Sequence, residues 1–146
     1  MIVDQKLLDT LTAQAKANPR LRQSYDLRNS ENDNSQRMLN AHEPGTVMPV
    51  HRHMKTSESI AMIRGKMAMR LYDDNGTITD EFVMAPISLH SLPSIQEGEC
   101  NEPTIPMVQI EAGQWHSLEV LDEWTVVFEA KDGKYEPLKE EELMKR

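Results

Sequence analysis

The chain has 146 residues, 38% of them apolar and 27% charged, a balance that suits one soluble globular domain with a sizeable core. Its 24 acidic and 16 basic side chains leave a net charge of −8. That disfavours nucleic acid and anionic membranes as partners, while a local basic pocket could still bind a small anion.

No apolar run approaches the roughly 20 residues that a membrane span needs. The start, "MIVDQKLLDT", lacks the basic and long apolar regions of a signal peptide, so a cytoplasmic protein is expected. Cys100 is the only cysteine, which leaves no partner for an internal disulfide.

In chain order, residues 3–18 place Leu7, Leu8, Leu11 and Ala15 at helical spacing behind Asp4, a natural N-cap, and Pro19 ends the pattern. The stretch "RNSENDNSQ" at 28–36 reads as a polar loop. From Gln36 the signal becomes a series of short β-like runs: 36–42, 47–53, 57–63, 66–72, 77–84, 107–111, 115–121 and 124–131. "EPG" at 43–45, "DDNG" at 73–76 and "DGK" at 132–134 supply turns. Residues 85–106 carry four prolines and read as a long loop insertion, and the acidic end "EPLKEEELMKR" as a solvated turn of helix. Many short strands at close spacing imply an all-β sandwich or barrel rather than an α/β fold.

The residues with the clearest chemistry lie in "GTVMPVHRHMKTSESIAMIRG" at 45–65. If 47–53 is a strand, His51 and His53 face the same side, about 6.6 Å apart along the chain. Their imidazoles can then lean toward one divalent ion, with Arg52 on the other side. A bend at 54–57 would return Glu58 beside them. His116, after the Gly113 turn, can supply a fourth ligand from another strand. Three imidazoles and a carboxylate contain the two-histidine, one-carboxylate set that suits Fe(II) and leaves positions open. Taken alone, an HxH pair in a strand is more often surface polarity than a ligand pair.

The spacing of the whole stretch is more specific. Gly45, five residues, His51-x-His53, four residues, Glu58, six residues and Gly65 match every defined position of the first cupin motif, G(X)5HxH(X)3–4E(X)6G. The second motif, G(X)5PxGxxH(X)3N, is matched only at Gly113 and His116. Ile105, Glu111 and Val120 replace its leading glycine, its proline and its asparagine. More of the chain resembles the WbuC family of small cupin-fold metalloproteins. The likeness rests on "QRMLNAHEPGT" at 36–46, "EAGQWHS" at 111–117 and "FEAKDGKYEP" at 128–137, behind a helix ending in "NPRLR". Departures are Val50 in place of a proline before the HRH, the enlarged 85–106 loop and a shortened C-terminal end.

The resemblance implies a double-stranded β-helix (jelly-roll) barrel over 36–131 behind an N-terminal α-helix, all in a single cupin domain. It implies one divalent metal ion per chain, as Fe, Mn, Zn or Ni, held by His51, His53, Glu58 and His116. It also implies a link to bacterial surface-polysaccharide or nucleotide-sugar metabolism. An exposed barrel edge could support a homodimer, which is common among cupins.

Further residues are candidates for work around the metal. Arg37, Asn40, Arg64 and Tyr72 could hold a hydroxylated or anionic ligand at the barrel mouth, although solvated or packing roles are the commoner ones for such residues. Glu129, in "TVVFEAK", would act as a general base if buried with a raised pKa, or would lie on the outer sheet face. Trp115 reads as packing or interface, Met62, Met67 and Met69 as core filling, and His42 and His90 as ordinary polar residues. Two function classes follow. One is an enzyme on a small polar metabolite such as a sugar or nucleotide sugar, either an isomerase or epimerase or an Fe(II)-dependent dioxygenase. The other is a non-catalytic binding or regulatory cupin in which the metal orients a small-molecule ligand.

Overall fold

A computed structural model describes residues 1–87 and 104–145. Most of the 85–106 insertion, with His90 and Cys100, lies outside the described residues. α1 (Gln5–Ala17) starts where Asp4 accepts a 2.9 Å hydrogen bond from the Leu7 amide, and Asn18 leaves the helical region immediately before Pro19. The described strands are β1 (Arg22–Asp26), β2 (Ser35–His42), β3 (Glu58–Arg64), β4 (Met67–Tyr72), β5 (Ile78–Met84), β6 (Met107–Ile110), β7 (Trp115–Val120) and β8 (Thr125–Asp132). They form a five-stranded sheet in the order β1-β2-β8-β3-β6 and a three-stranded sheet in the order β5-β4-β7. The strand pairings within both sheets are antiparallel.

Ile60, Met62, Met67, Met69, Met84, Ile110, Val120 and Val127 form the buried core between the sheets, so the three methionines expected there do fill it. On the outer face of the larger sheet, Leu8, Leu11 and Ala15 of α1 pack on Leu39, Ala41 and Val126. Alternation along β2 decides what lies where. Leu39 and Ala41 meet the helix, while Gln36, Met38, Asn40 and His42 line the space between the sheets. No described helix is long and apolar enough to cross a membrane.

Two elements differ from the sequence reading. Residues 47–53 are not a strand. Pro49 has no amide to give to a ladder, and His51 alone bridges, to His116 on one side and Leu143 on the other. Conversely, β1 was not expected, because "RQSYD" offers only Tyr25 as an apolar residue. It pairs with β2 from Arg22↔His42 to Asp26↔Met38 as a polar edge strand. The acidic end does contain a short 3-10 turn, Glu140–Glu142, but it is not merely solvated. The Arg52 amide donates to the Glu142 carbonyl (3.0 Å) and the Met144 amide to that of Val50 (3.0 Å), so this segment straps the 50–54 stretch in place.

Gly65 ends β3 with φ +78°. A Cβ there would lie 2.8 Å from the Thr125 Cα, backbone that cannot step aside. The last glycine of the 45–65 stretch is thus fixed by both its conformation and the approach of β8.

Candidate metal centre

Four side chains meet at one end of the space between the sheets. Glu58, first residue of β3, sits between Ile110 of β6 and Lys131 of β8. His116 lies on β7 and exchanges both backbone hydrogen bonds with His51 (3.0 and 2.9 Å), which places the two imidazole centroids 4.2 Å apart. His53 is held through its carbonyl, which accepts from the Gly113 amide at 2.8 Å. Gly113 has φ +86°, so this glycine turn presents both an anchor for His53 and the start of the strand carrying His116. One ligating atom from each of His51, His53, Glu58 and His116 can be chosen so that all lie within 4.8 Å of one another. Ligands about 2.1 Å from a common ion stand about 3 Å apart when adjacent and about 4.2 Å apart when opposite, so the cluster is the right size.

The protonation states also suit a metal. The Nδ1 atoms of His51 and His116 each lie 3.0 Å from a backbone carbonyl, those of Pro49 and Gln114. A carbonyl can only accept, so each Nδ1 carries the proton and each Nε2 keeps its lone pair for the centre. Burial, and then the neighbouring His116, lower the pKa of His51 to about 4. Glu58 is 4% exposed. Burial pushes its pKa up, but the His116 and His53 imidazoles beside it outweigh this and hold it well below the usual carboxylate range. At neutral pH the centre therefore holds a neutral His51 and an ionised Glu58, as metal ligation requires. Glu58 Oε2 and His116 Nε2 are both buried without a hydrogen-bond partner among the described residues, although only 3.3 Å apart. Two orphaned ligand atoms aimed at one point are the mark of a site built for an ion. The cluster fits a divalent metal.

Around it lies a cavity of about 370 Å³, lined on the β2 and β8 side by Met38, Asn40, Glu129 and Lys131. Glu129 faces inward, beside Glu58. Burial and then the Glu58 charge raise its pKa to about 8, so the pair shares a single proton that resides on Glu129. Asn40 donates to Glu129 Oε2 at 2.9 Å and accepts from the Ser24 hydroxyl at 2.6 Å. Lys131 Nζ stands 3.2 Å from His53 Nε2 and donates to its lone pair.

The other proposed ligand-holding residues are not at this cavity. Arg37 shares the parity of Leu39 and pairs with Asp33 at 3.0 Å. Arg64 follows an irregularity in β3 and turns to α1, where it binds Asp9 (2.7 Å) and Thr12 (3.0 Å). The Tyr72 hydroxyl bonds to Ser117 at 2.8 Å. Trp115 is buried, donates to Asp74 and stacks under Arg52, whose guanidinium lies 4.1 Å from its ring centroid. Lys131, Ser24 and Arg22 line the cavity and were not singled out from the sequence. Lys131 was legible, because it is two residues from Glu129 and so on the same face.

Residues 3–84 match the model of a family described as a domain of unknown function, DUF6016. No curated protein matches the chain. Solved structures do. KdgF from Halomonas sp. aligns over 81% of this chain and 84% of its own with TM-score 0.56 and 9% identity. The capsular polysaccharide assembling protein CapF from Staphylococcus aureus aligns over 72% of this chain and 24% of its own, with TM-score 0.51 and 20% identity. Oxalate decarboxylase from Bacillus subtilis, a protein with Mn(II) centres, aligns over 80% and 26%, with TM-score 0.52 and 17% identity. The chain thus spans about a quarter of the latter two. The cupin domain of Cnp3 from Schizosaccharomyces pombe aligns over 78% of this chain and 61% of its own, with TM-score 0.52 and 11% identity. The fold is the cupin β-sandwich with an N-terminal helix.

Proposed function

The chain belongs to the DUF6016 family, and we propose that it is a metal-dependent cupin enzyme acting on a small polar metabolite such as a sugar or nucleotide sugar. The observation that carries this reading is the converging set of half-buried His51 and His53 with buried Glu58 and His116, opening onto a polar cavity that also holds a protonated carboxyl, Glu129. The resemblance of the sequence to WbuC proteins supports the sugar-related substrate. The mixed nitrogen and oxygen donor set suits Fe, Mn, Zn or Ni. A bound divalent ion would supply Lewis acidity toward an oxygen of the substrate.

The chain's own groups divide the remaining work. Glu129 gives or takes the proton. Asn40, itself fixed by Ser24, orients the carboxyl at Oε2. The Lys131 ammonium offsets negative charge that develops on the substrate. The charge of a bound ion would draw the pKa of Glu129 back from about 8 toward neutrality, into the range where a carboxyl exchanges protons readily.

The test is to incubate metal-loaded protein with a panel of nucleotide sugars and analyse the products by mass spectrometry and by NMR, which separates isomers of equal mass. Metal-dependent product formation, reduced about 100-fold or more in Glu129→Gln at unchanged metal content, is expected. Binding without turnover across the panel would contradict the enzyme reading and leave a binding or regulatory cupin.

A further inference from the structure

The cavity has a second end with different chemistry. At the end of β2 away from Glu58, His42 lies opposite Arg22 of β1, and both side chains line the cavity together with Arg20. Along β2 this end is six residues from Gln36, which pairs with Lys131 beside Glu58. That is about 20 Å of strand.

The arginines among the described residues divide cleanly. Arg28, Arg37, Arg52, Arg64 and Arg70 each pair with an aspartate or glutamate. Arg20 and Arg22 pair with none among the described residues, in a chain where acidic side chains outnumber basic ones 24 to 16. Beside them, His42 is 7% exposed and its Nδ1 atom has no hydrogen-bond partner among the described residues. Two guanidiniums without an acidic partner among the described residues and a buried imidazole facing one cavity are the complement of an oxyanion, since the planar guanidinium fork matches a carboxylate or phosphate edge.

Resting on the reading of the cavity as a metal-dependent small-molecule site, we infer that Arg20, Arg22 and His42 form an anion subsite that receives a carboxylate or phosphate group of the ligand whose other end faces His51, His53, Glu58 and His116. The substrate class is then an acidic sugar or a sugar phosphate rather than a neutral sugar. Arg22, half-buried on the strand, sets the orientation, and Arg20, exposed at the rim, gathers the anion.

Calorimetric titration of Zn(II)-treated protein with glucose, glucuronate and glucose 1-phosphate tests this, with zinc content measured on the same samples. One or both anions should bind about tenfold or more tightly than glucose, and Arg22→Gln should remove most of that preference without changing the zinc content. Preference for glucuronate identifies a carboxylate ligand, and preference for glucose 1-phosphate a phosphate. In wild-type protein the Arg20 and Arg22 Nε–H resonances should shift on addition of the preferred anion, a readout independent of any variant. Equal affinity for the three sugars, no binding of either anion at millimolar concentration, or an anion preference retained in Arg22→Gln would overturn the subsite. Anion binding that depends on Arg22 in protein holding no zinc would keep the subsite and sink the metal reading. Stoichiometric zinc with no anion preference would do the reverse.

Discussion

Lys131 and a divalent ion compete for the same lone pair on His53, because the ammonium already sits 3.2 Å from Nε2. A positive charge at that distance also disfavours a second one by direct repulsion. Lys131→Met should therefore tighten metal binding about tenfold, measured by competition with a chromophoric chelator. Unchanged or weaker binding would show that Lys131 does not oppose the ion. The spacing from Gly45 to Gly65 and the placement of His116 marked the four residues that converge, since each is a defined motif position. Arg37 and Asn40 were both candidates for the mouth, yet they differ in parity on one strand and cannot face the same side. Asn40 lines the cavity and Arg37 turns to Asp33. The inward aim of Glu129 was open in the sequence, because β8 is apolar on both faces next to it and only packing against α1 distinguishes them.

Among the elements, the segments that bring the site together are the ones whose sequence signals are least regular. The strands of the core were legible from their apolar runs to within a residue or two. The 47–53 segment was not, because its valines and alternating histidines look like a strand while only His51 pairs. β1 was hidden for the opposite reason, since its paired backbone carries almost no apolar signal. The strap at 142–144 draws its order from hydrogen bonds to Val50 and Arg52, which no local pattern announces. At Gly65 a side chain would meet both positive φ and the backbone of Thr125. Gly65→Ala should cost about 2–4 kcal/mol, read as a lower denaturation midpoint in urea at unchanged slope, with the β3–β4 junction carrying the loss. A change below 0.5 kcal/mol would mean that β8 can move aside, contrary to the packing described.

For the molecule as a whole, the described residues enclose a polar space beside the apolar core, and the charges of the chain are distributed around it unevenly. The net charge is −8, the centre holds imidazoles and a carboxylate, and Arg20 and Arg22, unpaired among the described residues, stand at the far end. Burying Glu58 and His116 with orphaned atoms costs stability that an ion would return by binding the folded state alone. Metal stoichiometry is therefore the most direct measurement. Protein purified without chelators and analysed by inductively coupled plasma mass spectrometry should hold about one divalent ion per chain. The His51→Ala/His53→Ala double variant, still folded by circular dichroism, should hold none. Wild-type protein without metal even after incubation with Fe(II), Mn(II), Zn(II) and Ni(II), or full occupancy retained in the double variant, would contradict the account.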